Sequence, residues 1–135
     1  MGDRMALIGR AVALLSCNLP PGRFLLSDYF ESEPWGYCSQ NKFLNRGVLY
    51  IAHTNIAPED VLDIAQAIEN TLSNGVPHRN QDGSYRDRPI DIDLIDIDNI
   101  HIQTPRLVLP HPRAHLRSFV MVPMSQLNKI IIGEE

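Results

Sequence analysis

From Arg4 to Cys17 the apolar residues Leu7, Ile8, Ala11, Val12, Leu14 and Leu15 recur every three or four positions, which predicts an amphipathic helix. Asn18 and the Pro20-Pro21-Gly22 run close it, because proline cannot continue a helix. Arg23 to Glu33 alternates instead, with Phe24, Leu26, Asp28 and Phe30 on one face and Leu25, Ser27, Tyr29 and Glu31 on the other. That period of two predicts a strand. Pro34-Trp35-Gly36 and the polar residues up to Lys42 predict a loop, and Phe43 to His53, rich in Val, Leu, Tyr and Ile, a second strand. A second helix is expected from Pro58, with Glu59, Asp60 and Asp63 at the positive end of its dipole and Val61, Ile64, Ile68 and Leu72 as its buried stripe. Asn74-Gly75 ends it.

Val76 to Asp87 has no apolar period, holds Gly83 and mixes charges, so a long loop is expected there. Pro89 to Ile97 alternates again, with Ile90, Ile92 and Leu94 on one face and Asp91, Asp93 and Ile95 on the other, and predicts a third strand. A turn at Asp98-Asn99 leads to a short strand, Ile100 to Ile102. A proline-rich crossing from Gln103 to Pro112, a short helical stretch from Arg113 and the segment Phe119 to Leu127 complete the chain. Strands interleaved with two clear helices indicate an α+β or α/β sandwich.

At 135 residues and 44% hydrophobic content, one domain with one core is the expectation. The apolar content and a net charge of -4 exclude a disordered chain. No apolar run reaches the roughly 20 residues of a membrane span. Cys17 and Cys38 have neither metal-ligand nor disulfide-framework spacing, which suits a reduced, cytoplasmic protein. Charge is uneven: fourteen of the sixteen acids lie at or before Asp98, and none occurs from Asn99 to Gly133, where Arg106, Arg113, Arg117, Lys129 and three histidines fall. A mildly acidic chain lacks the broad basic surface that nucleic acid needs, whereas basic residues beside carboxylates suit a phosphate ligand carried with a metal.

Asp91 and Asp93, two apart in a strand, would project from one face with Cα atoms about 7 Å apart. Such a pair suits magnesium, which takes oxygen ligands and commonly one or two carboxylates beside substrate phosphates. Spacing alone favours a solvated strand face over a metal site. Asp96 and Asp98 fail the calcium-loop pattern, since Ile95 stands at a ligand position and no Gly follows. Arg88, at the mouth of the strand, could grip phosphate in bidentate fashion, with Arg106, His111, Arg113, His115 and Arg117 as further donors. Pro112 between His111 and His115 argues against a helical zinc pair. Trp35, Phe43, Tyr85 and Phe119 could stack on a flat heterocycle, and Asn45 could read a base-like edge.

The order of these blocks resembles the 6-hydroxymethyl-7,8-dihydropterin pyrophosphokinases of folate biosynthesis. Arg88-Pro89-Ile90-Asp91-Ile92-Asp93-Leu94-Ile95 is similar to their signature. So, in order, are Glu31-Ser32-Glu33-Pro34-Trp35-Gly36, Phe43-Leu44-Asn45, Gln66-Ala67-Ile68-Glu69, Pro105-Arg106-Leu107, Leu109-Pro110-His111-Pro112 and Arg117-Ser118-Phe119. The resemblance implies an α+β, ferredoxin-like antiparallel sheet sandwiched by helices. It implies transfer of pyrophosphate from ATP to the hydroxymethyl dihydropterin, with two magnesium ions at Asp91 and Asp93 and Arg88 as a further catalytic residue. Gln66, Arg88, Leu94, Arg106, His111 and Arg117 match positions that hold ATP. Ser32, Trp35, Phe43, Asn45 and Phe119 match the pterin pocket, Phe43 and Phe119 sandwiching the ring, while Tyr85 matches an aromatic on a closing loop. A monomer in the cytoplasm acting on small molecules is the expectation. The family's first strand has no counterpart before Met1-Gly2-Asp3-Arg4, so a single domain truncated at its N-terminus is expected. The competing expectations are a truncated or inactive relative that binds nucleotide or pterin without turnover, and a nucleotide-sugar transferase, which the flanking blocks do not support.

Overall fold

The computed structural model describes residues 2–32, 43–73 and 90–134. Their secondary structure is α+β: helices α1 (Gly2–Asn18), α2 (Pro58–Leu72) and α3 (Ser118–Glu134), and strands β1 (Gly22–Ser32), β2 (Phe43–Ala52), β3 (Ile102–Gln103) and β4 (Val108–Leu109). The predicted loops at Pro34 to Lys42 and Val76 to Asp87 lie outside the described residues. No helix among the described residues is long and apolar enough to cross a membrane. The chain divides into two compact units, one of Met1–Pro20 with Ile56–Asp93 and one of Pro21–Asn55 with Leu94–Glu135.

In the first unit α1 and α2 pack around Ala11, Ile68 and Leu72, with Leu7, Leu14, Leu15, Ile64, Ile90 and Ile92 against them. Pro58 stands in the first turn of α2 with Glu59 and Asp60, as the charge pattern predicts. The predicted stripe is displaced. Leu62, Ala65, Ile68, Glu69 and Leu72 are buried, whereas Val61 and Ile64 are only half-buried. Ala65 is the least exposed apolar residue of the helix. The N–H of Ser73 bonds the Glu69 carbonyl at 2.9 Å and closes α2.

Residues 90–97 are not a strand, contrary to the alternation. A strand is defined by a ladder to a neighbour. Among the described residues this segment has isolated bonds instead: the Ile92 N–H donates to the Glu69 carboxylate, and the Ile95 carbonyl accepts from the His111 N–H. The alternation still operates as burial, with Ile90 and Ile92 half-buried and Asp91 and Asp93 exposed.

In the second unit β1 and β2 form an antiparallel hairpin, and α3 packs against both. Pairing runs Gly22↔Ala52 to Leu26↔Val48, then resumes at Tyr29↔Arg46, so Ser27 and Asp28 together oppose Gly47. This β-bulge corrects the predicted faces, because one extra residue reverses the alternation beyond it. Asp28 and Phe30 therefore do not share a face with Phe24 and Leu26. The bulge is held by polar bonds. Ser27 is buried, its hydroxyl accepts from the Gly47 N–H at 2.7 Å and donates to the Asp28 carbonyl at 2.8 Å. Gln126 of α3 accepts from the Asp28 N–H at 2.6 Å and donates to its carboxylate at 2.7 Å. Arg46 donates to the Ser27 carbonyl at 2.6 Å and lies over the Tyr29 ring, 4.6 Å from its centroid. Gly47 is required by space, since a Cβ there would lie 2.9 Å from Pro123 Cβ.

The Asp98-Asn99 turn is present, both residues having positive φ, 50° and 57°, and the Ile100 N–H bonds the Ile97 carbonyl at 2.8 Å. Short polar side chains tolerate that left-handed backbone. The short strand falls slightly later than expected, as Ile102↔Leu109 and Gln103↔Val108 pair within the proline-rich crossing. The helical stretch after Arg113 is a single 3₁₀ turn, Ala114–Leu116. The segment Phe119 to Leu127 lies inside α3, which carries Pro123 within it.

Candidate active site

The carboxylate pair is positioned from behind. Ile90 and Ile92 pack on the Ala11–Ile68–Leu72 core, so the residues between and after them, Asp91 and Asp93, are directed outward and are exposed. Between the two aspartates the Ile92 N–H donates to Glu69 Oε2 at 2.6 Å. Glu69 is 7% exposed, on the buried side of α2. A hydrogen bond on a side chain this buried is little weakened by competing water. The sequence placed Glu69 in a family block but gave it no role; its signal was an acid within the buried stripe of α2, between Ile68 and Leu72.

Two exposed carboxylates on an anchored segment fit magnesium, which needs only one or two protein oxygens and completes its shell with water and phosphate. Among the described residues no group of three or more His, Cys, Asp or Glu side chains is placed to cage a metal. Gln66, exposed on α2, stands one turn before Glu69.

The basic residues of the second unit have their own supports. Arg106 is exposed in the β3–β4 turn, where the Thr104 N–H bonds the Leu107 carbonyl at 2.9 Å and the Thr104 hydroxyl accepts from the Leu107 N–H at 3.0 Å. His111 follows the cis Leu109–Pro110 bond, and its N–H donates to the Ile95 carbonyl at 2.7 Å. Its Nδ1 accepts from the Arg113 N–H at 3.2 Å. Neutral His111 therefore carries its proton on Nε2, which is then a donor. Arg117 ends the 3₁₀ turn and starts α3, its carbonyl accepting from the Val120 and Met121 N–H groups at 3.0 Å. Leu94 is half-buried and opens this unit's second segment.

For the heterocycle residues, the hairpin register places Ser32 opposite Phe43 and Phe30 opposite Asn45. Asn45 is half-buried and donates from Nδ2 to the Phe30 carbonyl at 3.2 Å. Phe119 lies in the first turn of α3. Trp35, Tyr85 and Arg88 lie outside the described residues.

An α+β chain with outward carboxylates on one unit, and arginines and a donor histidine on the other, has the make-up of a transferase that handles phosphate. The family model described as 7,8-dihydro-6-hydroxymethylpterin-pyrophosphokinase matches residues 1–129. Relatives named 2-amino-4-hydroxy-6-hydroxymethyldihydropteridine pyrophosphokinase include one from Porphyromonas gingivalis, 40% identical over 130 residues, 94% of this chain and 84% of the relative. One from Bacillus subtilis is 32% identical over 127 residues, 94% of this chain and 72% of the relative. One from Methylorubrum extorquens is 31% identical over 138 residues, 100% of this chain and 82% of the relative. The chain belongs to the 7,8-dihydro-6-hydroxymethylpterin-pyrophosphokinase family.

Proposed function

We propose that the chain transfers the β,γ-pyrophosphoryl group of ATP to 6-hydroxymethyl-7,8-dihydropterin in folate biosynthesis, with Asp91 and Asp93 as its metal ligands. The family match over residues 1–129 supports the reaction and one pyrophosphokinase domain, and favours turnover over binding alone. The observation that carries the site is the outward Asp91–Asp93 pair on either side of an anchored N–H. The hydroxymethyl oxygen forms a bond to the β-phosphorus as the bond from that phosphorus to the α,β-bridging oxygen breaks. AMP leaves with the bridging oxygen, and the hydroxyl proton passes to solvent. Magnesium, as two ions, supplies neutralisation of triphosphate charge.

The remaining roles are positioning and electrostatics. Gln66, Arg88, Leu94, Arg106, His111 and Arg117 hold ATP, the arginines and the His111 Nε2 donor meeting phosphate or ribose oxygens. Ser32, Trp35, Phe43, Asn45 and Phe119 form the pterin pocket, and Tyr85 belongs to a closing loop. The helices and hairpin are parts of a ferredoxin-like sandwich, and the protein works as a cytoplasmic monomer. With magnesium, ATP and the hydroxymethyl dihydropterin, AMP should accumulate. Asp91→Ala and Asp93→Ala should each abolish it, and AMP formation surviving both changes overturns the metal assignment. Calorimetric binding of ATP and pterin without AMP formation would instead identify an inactive binder.

A further inference from the structure

We infer that Glu69 is a positioning residue for the metal carboxylates, fixing the peptide between Asp91 and Asp93 through the Ile92 N–H. The inference rests on the reading of that pair as the metal site. Three observations carry it. The bond is short, 2.6 Å, and its acceptor is a carboxylate on a side chain only 7% exposed. Among the described residues the segment 90–96 belongs to no strand ladder. The side chains of Ile90 and Ile92 rest on the same helices that present Glu69, so packing and hydrogen bond act on the same short piece of backbone.

Packing restrains the two isoleucine side chains but does not by itself set the orientation of the Ile92 N–H. Rotation about the Ile92 peptide would swing both aspartates, because each is attached within one residue of it. The Glu69 carboxylate removes that freedom before any metal arrives. Groups that orient metal ligands commonly account for about 10–100-fold in metal affinity.

The test uses the full chain and Glu69→Ala, Glu69→Gln and Glu69→Met. Alanine is the best helix former and should leave α2 intact; glutamine keeps an oxygen that can accept from Ile92; methionine keeps volume without it. Amide exchange at Ile92 is measured by NMR, Mn²⁺ binding by paramagnetic broadening, and the magnesium dependence of AMP formation by assay. With alanine or methionine, Ile92 exchange should accelerate about tenfold or more. Mn²⁺ binding and magnesium half-saturation should weaken by about tenfold. Glutamine should stay close to the wild type in all three. Unchanged Mn²⁺ binding despite accelerated Ile92 exchange overturns the inference, as does a glutamine variant as impaired as alanine. Should the wild type make no AMP, the assigned reaction fails, while Ile92 exchange and Mn²⁺ binding still decide the role of Glu69.

Discussion

Replacing Gly47 by alanine tests the packing of the β1–β2 hairpin against α3. The added Cβ would lie 2.9 Å from Pro123 Cβ, 3.1 Å from Leu127 Cδ1 and 3.4 Å from Ser27 Oγ. Carbon atoms rest about 3.5–4.0 Å apart, so α3 must withdraw by several tenths of an ångström or β2 must bend. A buried proline ring yields little, and overpacking of this kind costs about 1–3 kcal/mol. Alanine recovers about 0.5–1 kcal/mol of the entropy that glycine loses in a strand. The net loss is about 1–2 kcal/mol. At about 4 °C per kcal/mol for a chain of this size, Tm should fall by about 4–8 °C in a circular-dichroism melt. Asn45, proposed for the pterin pocket, stands two residues away on β2; on that proposal the KM for pterin should rise more than the KM for ATP. Leu127→Ala alone should cost about 2–5 kcal/mol, its side chain being 5% exposed. The double variant should lose less than the sum by about 0.5 kcal/mol or more, since the truncation opens room for the methyl group. A Gly47→Ala protein as stable as the wild type, or strict additivity with Leu127→Ala, refutes the packing argument.

Asp91→Asn and Asp93→Asn should lower AMP formation by at least about 100-fold, as loss of charge-stabilising groups does, while leaving Tm almost unchanged because both side chains are exposed. Chelation of divalent cations should abolish turnover and readdition of magnesium restore it; activity persisting under chelation would count against the metal assignment. Ser27→Ala leaves the Gly47 N–H without its acceptor, so urea denaturation should show a loss of about 1–3 kcal/mol; a neutral substitution would show that the bulge does not depend on the hydroxyl. Arg106→Ala should raise the KM for ATP by about 10–100-fold, from one lost charged hydrogen bond, without changing the KM for pterin; equal effects on both substrates would remove Arg106 from the nucleotide side.

The elements that could be read from sequence are those whose evidence is local. Helices α1 and α2 and strands β1 and β2 follow from apolar periods within their own residues, with Pro58, Glu59 and Asp60 marking where α2 starts. The Asp98-Asn99 turn was legible for the same reason, because its two residues tolerate left-handed backbone. Helix α3 was not read as one element, since Pro123 inside it imitates a breaker. Its amphipathic support comes from β1 and β2, far away in sequence.

The carboxylate pair shows where the division falls. Sequence alone determined its chemistry: two hard oxygen donors at alternate positions, flanked by isoleucines, in an order of blocks that belongs to one family. Its alternation also matches burial from Ile90 to Asp93, whereas Ile95, assigned to the aspartate face, is half-buried like Leu94. Only the tertiary structure decided what the backbone does there. Whether alternating residues form a strand depends on a partner ladder, which no local pattern contains. The Glu69 carboxylate took the Ile92 N–H, from 23 positions back along the chain. The bulge at Ser27 and Asp28 has the same origin, since the side chain that replaces the missing ladder bond meets Gly47 only after the hairpin closes. Period fixes the side on which an aspartate stands; hydrogen bonds between distant segments decide how firmly it is held.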